Sequence, residues 1–244
     1  MKKLAIGIVV LLAVIGISLV FIGTRIDGIV ASVIEEEGSA ATQTDVSVGS
    51  VSLSLQNAAG SLSGLTIANP EGFAGNAIEM DDFFVSLDPE SLRGDTIVIP
   101  ELTVSGARIS VTQEGTRNNL NEILKNLREL GGNSSTDPDD EGSDIRVVIE
   151  RFVLEDAMAT VDLPSMDEPK QIELPMIELN GIGRGNGGAT SAEVSRALLE
   201  PIIEETLTVA LKQSIRERVT DTLTEVTDGL LDGLFGGGED DDSQ

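Results

Sequence analysis

The chain has 244 residues, of which 40% are hydrophobic and 24% charged, and its formal net charge is −26. A chain this acidic is repelled by nucleic-acid phosphates and by anionic lipid headgroups, which argues against binding to either through charge. It contains no Cys, His, Trp or Tyr, so disulfides, Cys- or His-based catalytic sets and the usual zinc and haem ligand sets are excluded.

An apolar segment lies near the N-terminus. Residues 4–23 carry no charge, and a helix of that length spans about 30 Å, the hydrocarbon thickness of a bilayer. A cleaved signal peptide is the alternative, but its apolar core is shorter and ends at a small-residue cleavage site, which residues 24–27 do not provide. Lys2 and Lys3 precede the segment and the next basic residue after Arg25 is Arg93. The positive-inside rule therefore predicts a single-pass anchor with a cytoplasmic N-terminus and an exported body.

After an amphipathic neck that ends near residue 37, the apolar period changes from helical to alternating, which is typical of half-buried strands. Gly and Pro residues separate the predicted strands. We therefore predict a fold that is mainly β with α, with strands at residues 46–55, 62–67, 78–87, 96–104, 108–111, 145–154, 157–163 and 171–179.

Two stretches, residues 97–111 and 147–161, align with each other at an offset of 50 residues. Residues 46–55 form a fainter third copy. In each copy the alternation is interrupted by a two-residue spacer (Gly49-Ser50, Pro100-Glu101, Glu150-Arg151), which would switch the side chains to the other face unless the strand bends there. Chance similarity between Val-rich strands is the alternative. We predict a bent strand that is followed, in the two clearer copies, by a tight turn and a second strand.

The apolar positions of these copies are the candidates for a groove or a core. They are Val46, Val48, Val51, Leu53, Ile97, Ile99, Leu102, Val104, Ile149, Phe152 and Leu154.

Composition divides the chain into segments. Residues 1–37 are the anchor and neck, 38–130 a first β-repeat region with a covering helix at 118–130, and 131–143 an acidic linker. Residues 144–189 are a second β-repeat region, 190–235 are helical with a break or kink expected at Pro201, and 236–244 are an acidic tail expected to be disordered. The C-terminal helical segment carries a long apolar stripe, formed by Ile215, Val219, Leu223, Val226, Leu230 and Leu234.

No motif indicates catalysis, a cofactor or a metal. Gly183, Gly185 and Gly188 match a G-x-G-x-x-G pattern, but no strand follows the next helix to complete a βαβ unit. Residues 137–142 resemble the start of a calcium loop, yet Pro138 intrudes and the twelfth position would be Val148 rather than a bidentate Glu. We expect a protein that is not an enzyme.

The order of these elements resembles the AsmA-like proteins of the bacterial envelope, within the TamB and chorein group of bridge-like lipid-transfer proteins. The resemblance is carried by the anchor and neck and by residues 44–55, 64–73, 91–92 and 97–111 leading to Asn118-Asn119-Leu120. It implies a bent antiparallel sheet with an apolar concave face, in a protein of the inner membrane that faces the periplasm. Such a face could shield lipid acyl chains, although this chain is too short to bridge the periplasm.

Two functional hypotheses follow. The first is a non-enzymatic envelope protein that binds lipid acyl chains or a partner protein and assists envelope or outer-membrane homeostasis. The second is a structural or assembly module whose apolar face is its own core and whose C-terminal amphipathic helix binds a protein partner or a second copy.

Overall fold

The computed structural model describes residues 27–54, 56–132, 146–164, 166–185 and 187–235. The predicted anchor at 4–23, Lys2 and Lys3, most of the predicted linker and the predicted tail lie outside these residues. Among the helices that are described, none is long and apolar enough to cross a membrane.

The described residues form ten strands and three helices, with one 3-10 turn at Ser91–Arg93. Helix α1 covers residues 27–42, α2 Asn119–Gly132 and α3 Ser191–Phe235. The strands are β1 (Val46–Ser54), β2 (Ala59–Ala68), β3 (Asn76–Ser86), β4 (Thr96–Ile99), β5 (Glu101–Glu114), β6 (Arg117–Asn118), β7 (Arg146–Glu155), β8 (Met158–Asp162), β9 (Lys170–Glu173) and β10 (Ile177–Ile182). The prediction of a mainly β fold with α is confirmed.

The strands belong to one open sheet with the order β1-β2-β3-β5-β7-β10. Strand β4 is followed directly by β5, and β8 follows β7 in the same direction. Strands β9 and β10 lie one after the other along the edge of the sheet opposite β1. The main ladders are antiparallel except in the centre, where β4 and β5 pair in parallel with β7 and β8. The prediction of an antiparallel sheet is therefore wrong at its centre. Helix α2 lies between β5 and β7 in the chain, and a crossover of this kind is what parallel neighbours require.

The parallel centre of the sheet is built from the two copies of the sequence repeat. Every paired residue of the first copy lies opposite the residue 50 positions further along, in three ladders that run from Thr96 opposite Arg146 to Thr112 opposite Asp162. Equivalent apolar residues therefore lie side by side on the same face of the sheet. The fainter copy at 46–55 lies elsewhere, because β1 is the edge strand and pairs only with β2.

In each repeat copy, the alternation of side chains between the two faces of the sheet shifts by one residue, while the chain keeps its direction. Val104 and Ala107 are both buried, as are Leu154 and Ala157, although residues three apart in a regular strand point to opposite faces. Between them, Gly106 has φ 69° and Asp156 has φ 53°, the left-handed geometry of a bulge. The predicted tight turn at these positions is therefore wrong, because the bulge lets the strand continue with its apolar side chains on one face.

The two-residue spacers have the same effect. Ile149 and Phe152, on either side of Glu150-Arg151, are both buried. In the first copy β4 ends at Ile99 and β5 begins at Glu101, because Pro100 has no N–H to donate to a ladder. The strand predicted at 171–179 is divided in the same way, since β9 ends at Glu173 and β10 begins at Ile177, on either side of Pro175.

Helices α2 and α3 cover part of one face of the sheet. The apolar side of α2 is buried there at Leu120, Ile123, Leu124 and Leu127. Helix α3 buries Ile202, Ile203 and Ala210 in the same core. Arg128 of α2 joins the two helices through Glu200 at 2.7 Å and Glu204 at 2.6 Å.

Helix α3 is continuous through Pro201, so the break that we gave as one of two expectations there is not found. The helix has no interruption between Ser191 and Phe235. Proline removes one backbone hydrogen bond inside a helix, but Ile202 and Ile203, directly after it, are almost completely buried. Their packing offsets the lost hydrogen bond.

Helix α1 runs along the outer edge of β1. The backbone N–H groups of Val46, Val48 and Leu53 donate to side-chain oxygens of the helix. The acceptors are Ser39 at 2.9 Å, Glu35 at 2.9 Å and Asp27 at 3.0 Å. These contacts satisfy donors that an edge strand would otherwise present to another chain.

Candidate functional site

The face of the sheet that carries the helices is apolar along entire cross-strand rows. Cross-strand partners point to the same face, so the register identifies the members of each row. One row is Leu53, Gly60, Val85, Leu102, Phe152 and Leu179. The next is Val51, Leu62, Phe83, Val104, Leu154 and Ile177. Beyond the bulges a third row is Val46, Ile67, Ile78, Ile109, Ala159 and Ile172. We call this surface the apolar face.

The opposite face is polar. The rows between the apolar ones contain Ser, Thr, Asp, Glu and Arg, with Phe84, Val153 and Met158 as apolar exceptions. Arg108 binds Asp81, and Glu79 at 3.2 Å. The hydrogen bond from Arg108 holds the pKa of the Asp81 carboxyl below its ordinary value. Arg151 similarly binds Glu178 at 3.3 Å and lowers its pKa. This face is therefore a solvated, ion-paired surface.

Burial divides the apolar face into two parts. The row from Val46 to Ile109 and the middle of β7 are buried. In the two rows on the other side of the bulges, the side chains contributed by β1, β2, β3 and the start of β5 are only half-buried. We call these six residues the open patch: Val51, Leu53, Leu62, Phe83, Val85 and Leu102.

A glycine forms the floor of the open patch. Gly60 is buried, and a Cβ atom placed on it would lie 2.5 Å from Leu53 Cδ2 and 2.9 Å from Val85 Cγ1. The side chains of Leu53 and Val85 therefore lean over Gly60 from the neighbouring strands. At the usual strand spacing the four strands of the patch span about 14 Å.

The open patch lies where the described chain begins. Leu53, a member of the patch, donates its backbone N–H to Asp27, the first described residue. Asp27 follows the apolar segment that ends at residue 23 by only a few positions. If residues 4–23 span a bilayer, this end of the sheet is close to it.

All the groove or core candidates from the sequence lie on the apolar face. Val46, Val104, Ile149, Phe152 and Leu154 are buried. The other six are half-buried: Val48, Val51, Leu53, Ile97, Ile99 and Leu102. On the polar face, Glu155 is exposed and Thr103 is half-buried.

Sequence reasoning missed half of the open patch. Leu62, Phe83 and Val85 lie in predicted strands. Those strands do not belong to the repeat copies from which the groove or core candidates were chosen, so these three residues were not named. Their alternation with Ser61, Ser63 and Phe84 was the available signal. The edge contacts of Asp27 and Glu35 were also missed, since no local pattern relates a neck residue to a strand that it meets only in the folded protein.

Two segments that carried the family resemblance meet in the fold. The buried Asn119 donates to the Asn69 side chain at 2.8 Å and to the Ser110 carbonyl at 2.7 Å. Arg117 lies 5.2 Å from the centre of the Phe73 ring and also binds Glu122. Their side chains fix the 69–75 loop against the start of α2, which is a structural role.

Packing explains two of the three glycines of the G-x-G-x-x-G pattern, Gly183 and Gly188, whereas Gly185 has open space around it. A Cβ atom on Gly183 would lie 2.4 Å from the Val147 carbonyl oxygen, and one on Gly188 would lie 2.4 Å from the Arg146 Cβ. Both glycines also have positive φ, 77° and 106°. The close approach to β7 requires glycine here without any nucleotide.

Within the described residues, no group of three or more Asp and Glu side chains is placed to hold a metal ion. No family model, no curated protein and no solved structure matches the chain.

Proposed function

We propose that this chain is a non-enzymatic protein of the bacterial envelope, of the AsmA-like kind, that binds lipid acyl chains on its apolar face. In this proposal residues 4–23 anchor it in the inner membrane and its body lies in the periplasm. The supporting observation is the open patch, a set of aliphatic and aromatic side chains from four strands that the described helices leave half-exposed.

The chemistry of the patch suits an acyl chain. Its six side chains offer no hydrogen-bonding group, and each methylene that leaves water for such a surface is worth about 0.8 kcal/mol. The body of the protein is strongly acidic, which disfavours anionic headgroups nearby. A zwitterionic lipid is therefore the appropriate ligand for a first test.

The absence of Trp and Tyr permits a test with a single fluorescent reporter. The Leu62→Trp variant places a tryptophan in the open patch, and Ser61→Trp places one on the neighbouring residue of the same strand, on the polar face. Full-length protein in nanodiscs of zwitterionic lipid would be titrated with a zwitterionic phosphatidylcholine brominated along its acyl chains. We expect strong quenching for Leu62→Trp and little for Ser61→Trp.

Native mass spectrometry gives a second measurement. Protein released from nanodiscs should retain bound lipid, and Leu62→Glu should lose it while Ser61→Glu retains it. Equal quenching of the two tryptophan variants, or equal lipid retention by the two glutamate variants, would contradict the proposal. Melting temperatures of all four variants would show whether each is folded.

The assembly hypothesis has one observation of its own. Leu211, Ile215 and Val219 recur every fourth residue on α3 and are exposed. The other stripe side chains, those of Leu223, Val226, Leu230 and Leu234, lie outside the described ones. If this stripe joins two copies, Ile215→Glu should lower the mass measured by mass photometry of the full chain, and an unchanged mass would count against it.

A further inference from the structure

The two edges of the sheet differ in the hydrogen bonds that their outward backbone groups make. At the β1 edge, α1 accepts hydrogen bonds from three backbone N–H groups. At the opposite edge, formed by β9 and β10, the described residues show no such cover. Between Lys170 and Asn180 the described backbone hydrogen bonds go to β7, to β8 and to Ala157, which lies between these two strands. Among the residues that the structure describes, one edge is therefore closed and the other is open.

The direction of the free groups on β9 follows from one hydrogen bond. The Leu174 N–H donates to the Ala157 carbonyl at 2.9 Å, toward β8. Successive residues of an antiparallel strand direct their backbone groups to alternate sides. The N–H and C=O of Glu173 therefore point outward, where they can pair with an added strand.

Side chains along this edge define what an added strand must carry. On the polar face, Glu173 and Glu178 are exposed, and the adjacent Glu155 and Asp156 are exposed too. Glu178 is paired with Arg151, whereas Glu173 has no ion pair among the described residues. On the apolar side, Ile172, Ile177 and Leu179 are half-buried. A complementary strand thus alternates apolar residues with Lys or Arg.

We propose that the β9–β10 edge binds an extended segment of a partner protein in which apolar residues alternate with Lys or Arg. The segment adds a strand to the sheet, extends the apolar face and neutralises Glu173. This inference does not depend on acyl-chain binding, because it rests on the backbone and charges of the edge.

A second copy of the chain does not fit this edge. Pairing β9 of one copy with β10 of the other, in the antiparallel register that keeps both apolar faces aligned, would place Ile172 opposite Leu179 and Leu174 opposite Ile177. It would also place Glu173 opposite Glu178 twice, and like charges in direct opposition destabilise a strand pair. The acidic sequences at 133–143 and 236–244 carry the same sign of charge as the edge.

The experiment uses full-length protein in zwitterionic nanodiscs and a fluorescent ten-residue peptide of alternating Val and Lys. Two control peptides are an alternating Val and Glu peptide and a Val-Lys peptide of identical composition with its valines grouped. Fluorescence polarisation should show binding of the alternating Val-Lys peptide alone. Hydrogen exchange should slow in β9 and β10 when it binds.

Variants locate the interaction. Glu173→Lys should weaken binding at least tenfold, while Glu90→Lys, the same charge change on an exposed residue of a distant loop, should leave it within twofold. Glu173→Pro removes an outward N–H without removing a ladder hydrogen bond, and should abolish binding. Equal losses for Glu173→Lys and Glu90→Lys, equal binding of the grouped peptide, or exchange protection away from β9 and β10 would overturn the proposal. Because the Glu173 side chain is exposed, Glu173→Lys remains a valid test even if Glu173→Pro fails to fold.

Discussion

Gly106 and Asp156 occupy equivalent places in the two repeat strands and share a left-handed backbone, with φ of 69° and 53°. Glycine adopts this geometry without cost and Asp tolerates it, whereas a β-branched residue does not. The two residues differ in type, but each supplies the bulge that keeps the apolar side chains on one face.

Replacing Gly106 by Val should therefore destabilise the protein by about 1–2 kcal/mol, the usual penalty for a left-handed residue with a Cβ atom. Space is not the cause, because the nearest atom to a new Cβ is Asp81 Oδ2 at 3.5 Å. Gly94→Val is the matched control, since Gly94 has φ −110° and an exposed position. Urea unfolding of both variants in detergent would measure the difference. Equal effects would mean that the bulge is not what requires glycine.

Replacing Phe152 would measure how much one buried side chain of the apolar face contributes to stability. It is 2% exposed, at the centre of the sheet, so Phe152→Ala should lower the free energy of unfolding by about 3–5 kcal/mol. Phe84, on the polar face of β3, is 53% exposed, and Phe84→Ala should change stability by less than about 0.5 kcal/mol. The same denaturation assay compares the two, and similar losses would show that the face assignment is wrong.

At the scale of elements, α2 and α3 are joined to each other by charge as well as by apolar packing. Arg128 contacts Glu200 and Glu204. The hydrogen bond from Arg128 is the main cause that lowers the pKa of the Glu200 carboxyl, and Arg196 adds to it. A carboxyl whose pKa is lowered by folding stabilises the native state only while it is ionised.

This link should be visible in the pH dependence of stability. Above the ordinary pKa of Glu, about 4.3, the Arg128→Gln variant should be less stable than the wild type. As the pH falls through the lowered pKa of Glu200, that difference should shrink, because the protonated carboxyl no longer attracts Arg128. Acid also neutralises negative charge elsewhere in the chain. That effect is the same in the wild type and in the variant, so it cancels when the two are compared.

Lys125→Gln is the matched control for Arg128→Gln. Lys125 lies on the same helix, but its pair with Glu129 at 3.6 Å is exposed on both sides, and such pairs contribute little. Thermal melts of the three proteins between pH 3 and pH 7 would be compared. A stability difference for Arg128→Gln that stays constant with pH would contradict the role given to Glu200.

At the scale of the whole molecule, the fold places Asp27, the first described residue, beside the open patch. Helix α1 fixes β1 through Asp27, Glu35 and Ser39, so Asp27 lies at the end of the sheet that carries Leu53. The acidic body and the basic Lys2 and Lys3 lie on opposite sides of the apolar segment in sequence. If that segment spans a membrane, the positive-inside rule makes its orientation depend on those two lysines.

We expect a reporter fused after Gln244 to be active outside the cytoplasm only, and the purified protein to retain residues 1–23. Adding several Lys residues after Arg25 should weaken or invert this orientation, because it removes the charge asymmetry. The same number of Gln residues at that place is the control. Reporter activity and N-terminal sequencing would check both points, and a mature N-terminus beyond residue 23 would refute the anchor.

The local features of this protein were readable from sequence because they depend on neighbouring residues. Alternation of apolar residues predicted the strands, and the helical period at 118–130 predicted α2, found at Asn119–Gly132. The spacers at Pro100 and Glu150 were visible because a strand has a period of two. The 50-residue offset even indicated which residues are equivalent.

The tertiary structure decided the rest. Whether two similar strands pair in parallel or antiparallel depends on the route of the chain between them, which α2 fixes and which no local period encodes. Whether a Gly or Asp makes a turn or a bulge depends on the strands beside it, and Gly106 lies between β3 and the second repeat copy. The open patch likewise exists because α2 and α3 cover one part of the apolar face and leave the part nearest α1 half-exposed. Burial is a property of what packs above a side chain, and for Leu62, Phe83 and Val85 those neighbours are distant in sequence.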